Sequence, residues 1–262
     1  MTTSSLLAPG DPPPFEILNE GGAGPCLLIC DHASSAIPAA LGDLGLDAGQ
    51  RRRHIAWDIG IADVTRRLAE KLDAPAVLSG YSRLVIDCNR QLDDPSSIAQ
   101  ESDDVPVPGN RGLGPADRRA RAEACFWPYH HAISAQIRRM RAAGRAPLLL
   151  SLHSFTPVMQ GFERPWHIGV LWNRDGRLAR LLLAALGRDP AICVGDNQPY
   201  DGRLGRGYGI AVHGEQEGLP HALLELRQDL IDTHTGAEAW AKRLALVMGE
   251  LLAETPPHEA RP

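Results

Sequence analysis

Seven short apolar runs, CLLICD, PAVLSG, RLVIDC, PLLLSL, HIGVLW, AICVG and HALLEL, alternate with longer stretches whose apolar residues recur at helical spacing. The longer stretches run from Asp47 through Leu72, from Pro115 to about Ala143, from Gly176 to Leu186 and from Thr235 to Leu252. That alternation predicts an α/β fold with a sheet between helices. The stretch from Pro115 opens with proline at a first helical position and closes just before Gly144, the usual helix punctuation. Pro128 inside it predicts a kink or a split.

At 262 residues, 44% hydrophobic and 23% charged, the chain is long enough to bury a sizeable core. One domain over residues 1–262 is expected, with loose termini at about 1–14 and 255–262, where proline and polar residues gather. A net charge of -5, with Arg51 to Arg53 as the densest basic run, leaves little electrostatic footprint for nucleic acid. No apolar stretch is long enough to cross a bilayer, and MTTSSLLAPGDPPPF lacks a basic segment followed by an apolar one, so a cytoplasmic protein is expected. Five cysteines without CxxC spacing speak against a disulfide framework and against a thiolate metal site. Cys26, Cys30, Cys88 and Cys193 lie in apolar runs and are expected as small core residues.

Two segments, residues 91–114 and 195–220, are dense in Gly, Pro, Asp and Asn and read as long binding loops. Polar groups stand at four apparent strand ends: Asp31 and His32; Asp87, Asn89 and Arg90; His153; and Glu225. In open α/β sheets the ligand crevice lies outside the carboxyl ends of the strands, so such side chains converge. Two histidines and a carboxylate suit a zinc ion that keeps one position open. A lone histidine at a strand end is more often a structural hydrogen-bonding group, and HExxH is absent, so the helix-borne zinc pair does not apply.

DHASSAIP, WDIG, YSRLVIDCNR, SLHSF, a glycine-rich loop with HG, and LLELRQDL follow one another between about Leu27 and about Ile231. In this order they resemble the N-formylglutamate amidohydrolase family, and more distantly aspartoacylase, succinylglutamate desuccinylase and the zinc carboxypeptidases. The resemblance implies a three-layer α/β/α fold with a mixed central sheet of the zinc-carboxypeptidase (phosphorylase/hydrolase-like) type. It also implies hydrolysis of the amide of a small N-acyl amino acid, foremost N-formyl-L-glutamate to formate and L-glutamate, as in histidine degradation. One Zn2+ per chain is implied, with another divalent metal as the alternative, and His32, Asp58 and His153 as its ligands. Ser35 stands where the distant relatives carry a ligand glutamate; the resemblance implies that an aspartate further along serves instead, and Asp58 of AWDIG matches it, the competing role for Asp58 being that of a helix-start or surface aspartate. Asp31 suits a hydrogen bond behind the metal ligands.

The same resemblance makes Glu225 the general base and Arg83 the group that polarises the scissile carbonyl, with Asn89 and Arg90 holding a substrate carboxylate. Arg90 has the opposite strand parity to Arg83 and Asn89, so a bend near Cys88 is required. The competing partners are Arg227 for Glu225, and Asp93 or Asp94 for Arg90. Arg206 and Arg227, with Arg203 beside them, are candidates for a second carboxylate, and His213 for contact with substrate or formate. Ser154 is expected to donate a hydrogen bond and not to act as a nucleophile, since no GxSxG surrounds it. His130 and His131 are expected as surface or packing residues. The rival functions are a zinc peptidase, a deacylase of other N-acyl amino acids, and a non-catalytic binder of acidic metabolites. The oligomeric state stays open.

Overall fold

All five residues of CLLIC are buried, and alternate side chains enter different cores: Cys26, Leu28 and Cys30 go to one, Leu27 and Ile29 to the other. A run buried on both faces is the mark of an interior strand. The computed structural model describes residues 6–254. Its main sheet contains β1 (Phe15–Leu18), β2 (Cys26–Cys30), β3 (Ala76–Ser79), β4 (Leu148–Phe155), β5 (Ile168–Leu171), β6 (Val194–Asp196) and β7 (His221–Arg227). The strand order is β1-β3-β2-β4-β7-β5-β6. The four central strands β3, β2, β4 and β7 run parallel. β1 is antiparallel to β3, and β5 is antiparallel to β7 but parallel to β6. The sheet is therefore mixed, and the carboxyl ends of its four central strands share one edge.

Helix α1 (Ile61–Lys71) buries Ile61, Val64, Thr65, Leu68 and Ala69, spaced for one face. Together with α4 (Arg177–Leu186) and α5 (His234–Glu254) it covers one side of the sheet. The other side is covered by α3 (Trp127–Ala142) and by apolar loop residues including Leu44, Ile55 and Val85. The fold is thus α/β with the sheet between helical layers. Full burial of each Leu or Ile in these layers contributes about 1.5–3 kcal/mol.

Several expectations are corrected. RLVIDC is not a strand: Leu84, Val85 and Ile86 are buried in an irregular segment. Asn110 donates to the Leu84 carbonyl and Arg121 to the Val85 carbonyl, at 2.8 and 2.9 Å. An apolar run reads alike as a buried strand or a buried loop. The expected helix from Asp47 shrinks to α1, because Gly60 before it has φ +80° and sits where a Cβ would come within 2.2 Å of the Ile231 carbonyl oxygen. The helix expected to kink or split at Pro128 is divided just before it: α2 (Pro115–Arg121) passes through a π-helical turn, Ala122–Phe126, into α3. Proline has no N–H for the carbonyl four residues back and its ring crowds that oxygen, and the wider turn takes up the misfit. β1 was not foreseen, and Cys193 is exposed. Residues 1–5 and 255–262 of the expected loose ends lie outside the described residues. The rest of the first is tethered: Asp11 accepts from the N–H of Ala8 and of Ala39, and Gly80 donates to the Pro14 carbonyl.

Candidate active site

Parallel strands deliver their last side chains to one place. His32 follows β2, His153 lies near the end of β4, and Glu225 of β7 pairs in register with His153. Asp58 comes from the turn ahead of α1. That turn is stitched to its neighbours, since Asp58 N donates to the His32 carbonyl at 3.0 Å and Ser154 Oγ to the Ile59 carbonyl at 2.9 Å. Arg83, Asp87 and Asn89 come from the irregular segment after β3.

One ligand atom from each of His32, Asp58 and His153 lies within 4.8 Å of the other two, and all three residues are buried. Asp58 Oδ2 is 3.3 Å from His32 Nδ1 and 2.9 Å from His153 Nδ1. On the far side of each ring stands another carboxylate: Asp87 Oδ1 is 2.7 Å from His32 Nε2, and Asp31 Oδ2 is 3.0 Å from His153 Nε2. A carboxylate behind an imidazole fixes the proton on that nitrogen and turns the other lone pair toward a metal. Asp31 is held in turn by the Tyr129 hydroxyl at 2.8 Å and the Ser151 hydroxyl at 3.2 Å.

The charges fit a dication. Asp31, Asp58 and Asp87 are almost fully buried, and the only guanidinium bonded to this cluster among the described residues is Arg83. Arg83 reaches Asp87 Oδ2 at 2.8 Å and Asp58 Oδ1 at 3.4 Å. Three carboxylates and one guanidinium leave two negative charges, which two imidazolium protons or one divalent ion would neutralise. Burial opposes charge on His153, yet its hydrogen bonds to Asp31 and Asp58 push it up to about 10. Burial and Arg83 oppose charge on His32, but Asp87 and Asp58 hold it above the ordinary imidazole value. Against its own burial, Asp58 is held well below the usual carboxylate range by both histidines. The donor set, its charge and the carboxylates behind it thus fit a divalent metal.

Glu225 faces the same cavity, of about 610 Å³, as His32, Asp58, His153 and Arg83. Its Oε2 is buried with no hydrogen-bond partner among the described residues. Burial, reinforced by Asp58 and opposed by His153, His32 and Arg83, pushes Glu225 up to about 7, in the range suited to proton transfer at neutral pH.

The sequence profile of the N-formylglutamate amidohydrolase family matches residues 24–232. The chain belongs to the N-formylglutamate amidohydrolase family. It is 30% identical over 175 residues to the N-formylglutamate deformylase of Pseudomonas aeruginosa, a match that covers 61% of this chain and 65% of that relative. A gene product of Agrobacterium tumefaciens of known crystal structure is 36% identical, superposes with a TM-score of 0.92, and matches 95% of this chain and 98% of its own. The N-formylglutamate amidohydrolase of Ralstonia eutropha, 22% identical, shares the fold with a TM-score of 0.69 over 92% of this chain and 97% of its own.

In this member of the family Asn89, Arg90 and Arg206 also line the cavity. Asn89 Oδ1 accepts the N–H of Tyr208 at 2.8 Å and of Gly209 at 3.2 Å, so only its amide nitrogen is left for a ligand. Arg90 donates to the Asn89 carbonyl at 2.8 Å and pairs with neither Asp93 nor Asp94. Both long loops contribute to the walls, through Ser96 to Asp103 on one side and Pro199 to Gly207 on the other. Three candidates are corrected. Arg227 does not line the cavity, because its guanidinium is taken by Asp229 at 2.8 Å. Arg203 is likewise held by Asp201. His213 is buried on the π-helical segment Ile210–Glu215, away from the cavity, with Nε2 3.0 Å from Nδ1 of the equally buried His130. Asp87 was noticed in the sequence without a role, and His130 was read as a surface or packing residue; no spacing pattern links either to its partner.

His130 ties the site to its loops. Its Nε2 is 2.9 Å from the Cys88 carbonyl, which only accepts, so Nε2 carries the proton and Nδ1 receives the Nε2–H of His213. Burial pulls His130 down to about 3 and His213 down to about 4. In the unfolded chain both bind a proton near pH about 6.5. The stability gained by keeping them neutral is therefore full above that pH and is lost as the pH falls toward 4. At pH 5 the loss is about 2 kcal/mol per histidine. Urea unfolding at pH 7 and pH 5 is expected to show a drop smaller by about that amount in His213→Gln, which keeps a donor for His130; equal drops would contradict it.

Proposed function

We propose that the chain is a zinc-dependent amidohydrolase that converts N-formyl-L-glutamate to formate and L-glutamate. The observation that supports this most is the pairing of the His32–Asp58–His153 cluster, in one cavity, with Glu225, whose buried Oε2 has no partner among the described residues. A cavity of this size falls in the range of about 300–1,000 Å³ typical of small-molecule sites. Family membership and the 30% identity to a deformylase point to the same chemistry.

Zinc held by His32, Asp58 and His153 would supply electrophilic activation of water and of the scissile carbonyl. Glu225 accepts the proton that water releases and passes it to the leaving nitrogen. Its raised pKa lets it hold that proton between the two transfers. Arg83, fixed by Asp87, presents a guanidinium edge to the carbonyl oxygen as negative charge builds there. Arg90 and Arg206 line the cavity without a carboxylate partner among the described residues, and glutamate brings two carboxylates. Arginine's planar fork matches that geometry. Asn89 supplies an amide donor between them, and the two long loops restrict water.

A panel of N-acyl amino acids offered to zinc-loaded protein tests the reading: N-formyl-L-glutamate is expected to be hydrolysed fastest, and failure on the whole panel would end it. Arg206→Ala is expected to raise KM for N-formyl-L-glutamate about tenfold or more, the worth of a charged hydrogen bond, with kcat little changed. An unchanged KM would remove Arg206 from substrate binding.

A further inference from the structure

The loop after β6 carries Tyr200 to the wall of the cavity, and several contacts fix that loop. Asn197 is buried, and its Oδ1 accepts the N–H of Trp172 at 3.0 Å and of Gly202 at 3.1 Å. Gly169 of β5 lies opposite Glu225 in the antiparallel register, and a Cβ there would stand 1.8 Å from the Gln198 carbonyl oxygen. The loop thus rests on the strand next to Glu225, in a seat that only glycine leaves open.

Tyr200 has one strong partner. Arg164 Nη1 donates to its hydroxyl oxygen at 3.1 Å, and the same guanidinium lies 5.1 Å from the ring centroid. Arg164 is only 8% exposed. It forms no ion pair with a carboxylate among the described residues, and its other side-chain contact with an acceptor is the Thr156 carbonyl at 3.5 Å. A guanidinium buried without a counter-charge is costly. Arg164 does not itself line the cavity, so its charge is felt there through the phenol. With its oxygen accepting from a cation, the hydroxyl becomes a stronger donor, and its proton meets no acceptor among the described residues. Tyr200 is itself 42% exposed; the protein packed around its inner face still holds the phenol above its ordinary pKa, and Glu225 and Arg83 both act on it electrostatically.

We propose that Tyr200 is a catalytic residue whose hydroxyl donates a hydrogen bond to the scissile carbonyl oxygen as it gains negative charge, sharing that oxygen with Arg83. Arg164 is the positioning residue that aims it. The assignment rests on the amidohydrolase reading above, and it separates from that reading experimentally.

Zinc-loaded wild type, Tyr200→Phe, Arg164→Met and Arg164→Lys are compared on N-formyl-L-glutamate, with circular dichroism and metal content recorded for each. Tyr200→Phe is expected to lower kcat by about 10²–10³-fold, the usual effect of removing one oxyanion donor, with KM and zinc content unchanged. Arg164→Met is expected to lower kcat by less, and Arg164→Lys, which keeps a cationic donor, to recover part of the loss. Calorimetry with a phosphonate analogue of the tetrahedral species is expected to show Tyr200→Phe binding it more weakly by a similar factor, while glutamate binds as in wild type. A Tyr200→Phe protein with wild-type kcat, or with a raised KM alone, overturns the assignment while leaving the amidohydrolase reading intact. A wild-type protein inactive on every N-acyl amino acid overturns both.

Discussion

Glu225→Gln is expected to keep the metal and lose about 10²–10⁴-fold in kcat for N-formyl-L-glutamate, the usual contribution of a positioned acid–base group. The replacement is nearly isosteric, so the register of β7 against β4 and β5 is undisturbed. It also leaves an amide in the buried place where Oε2 has no partner. What it removes is the site's proton acceptor, since the other carboxylates nearby are engaged: Asp58 with both histidines, Asp87 with His32 and Arg83, Asp31 with His153 and Tyr129. Steady-state kinetics with metal analysis of the same sample checks it. Retained full activity would take Glu225 out of the mechanism.

Asp58→Ala is expected to abolish stoichiometric metal binding and, with it, activity. Asp58 Oδ2 is the atom that both Nδ1 atoms face, so its loss leaves two neutral ligands for a dication. The cluster also loses one of the charges that balance it. Asp87→Asn grades the effect: Asp87 stands behind His32, and loss of such a partner costs about 10–100-fold in metal affinity. Competition titration with a zinc chelator should therefore rank wild type above Asp87→Asn and Asp87→Asn above Asp58→Ala. Unchanged affinity in Asp58→Ala would return that residue to a purely structural role in the turn before α1.

Much of the sheet was legible because buried strands write themselves as short apolar runs, and His32, His153 and Glu225 were legible because they interrupt or end such runs. β1 was missed because FEIL is largely half-exposed and too short for its pattern to mark a strand. RLVIDC was misread because its burial comes from tertiary contacts: Asn110 and Arg121, both distant in sequence, satisfy the carbonyls that a neighbouring strand would otherwise take. Arg227 and His213 looked suited to substrate by type and place in the chain. Asp229 two residues on captures the first, and His130 from α3 captures the second. Tyr200 and Arg164 carried no signal, because their meeting depends on how a glycine in β5 seats a loop. Asp58 illustrates both limits: family resemblance singled it out, but only the fold brings its carboxylate between two imidazoles.

X-ray absorption spectroscopy of the zinc-loaded protein tests the central claim most directly. The account predicts two imidazole nitrogens at about 2.0–2.1 Å and one carboxylate oxygen at about 2.0–2.2 Å from the metal, with one imidazole lost in His153→Ala. A first shell containing sulfur, or one with no imidazole scattering, would contradict it.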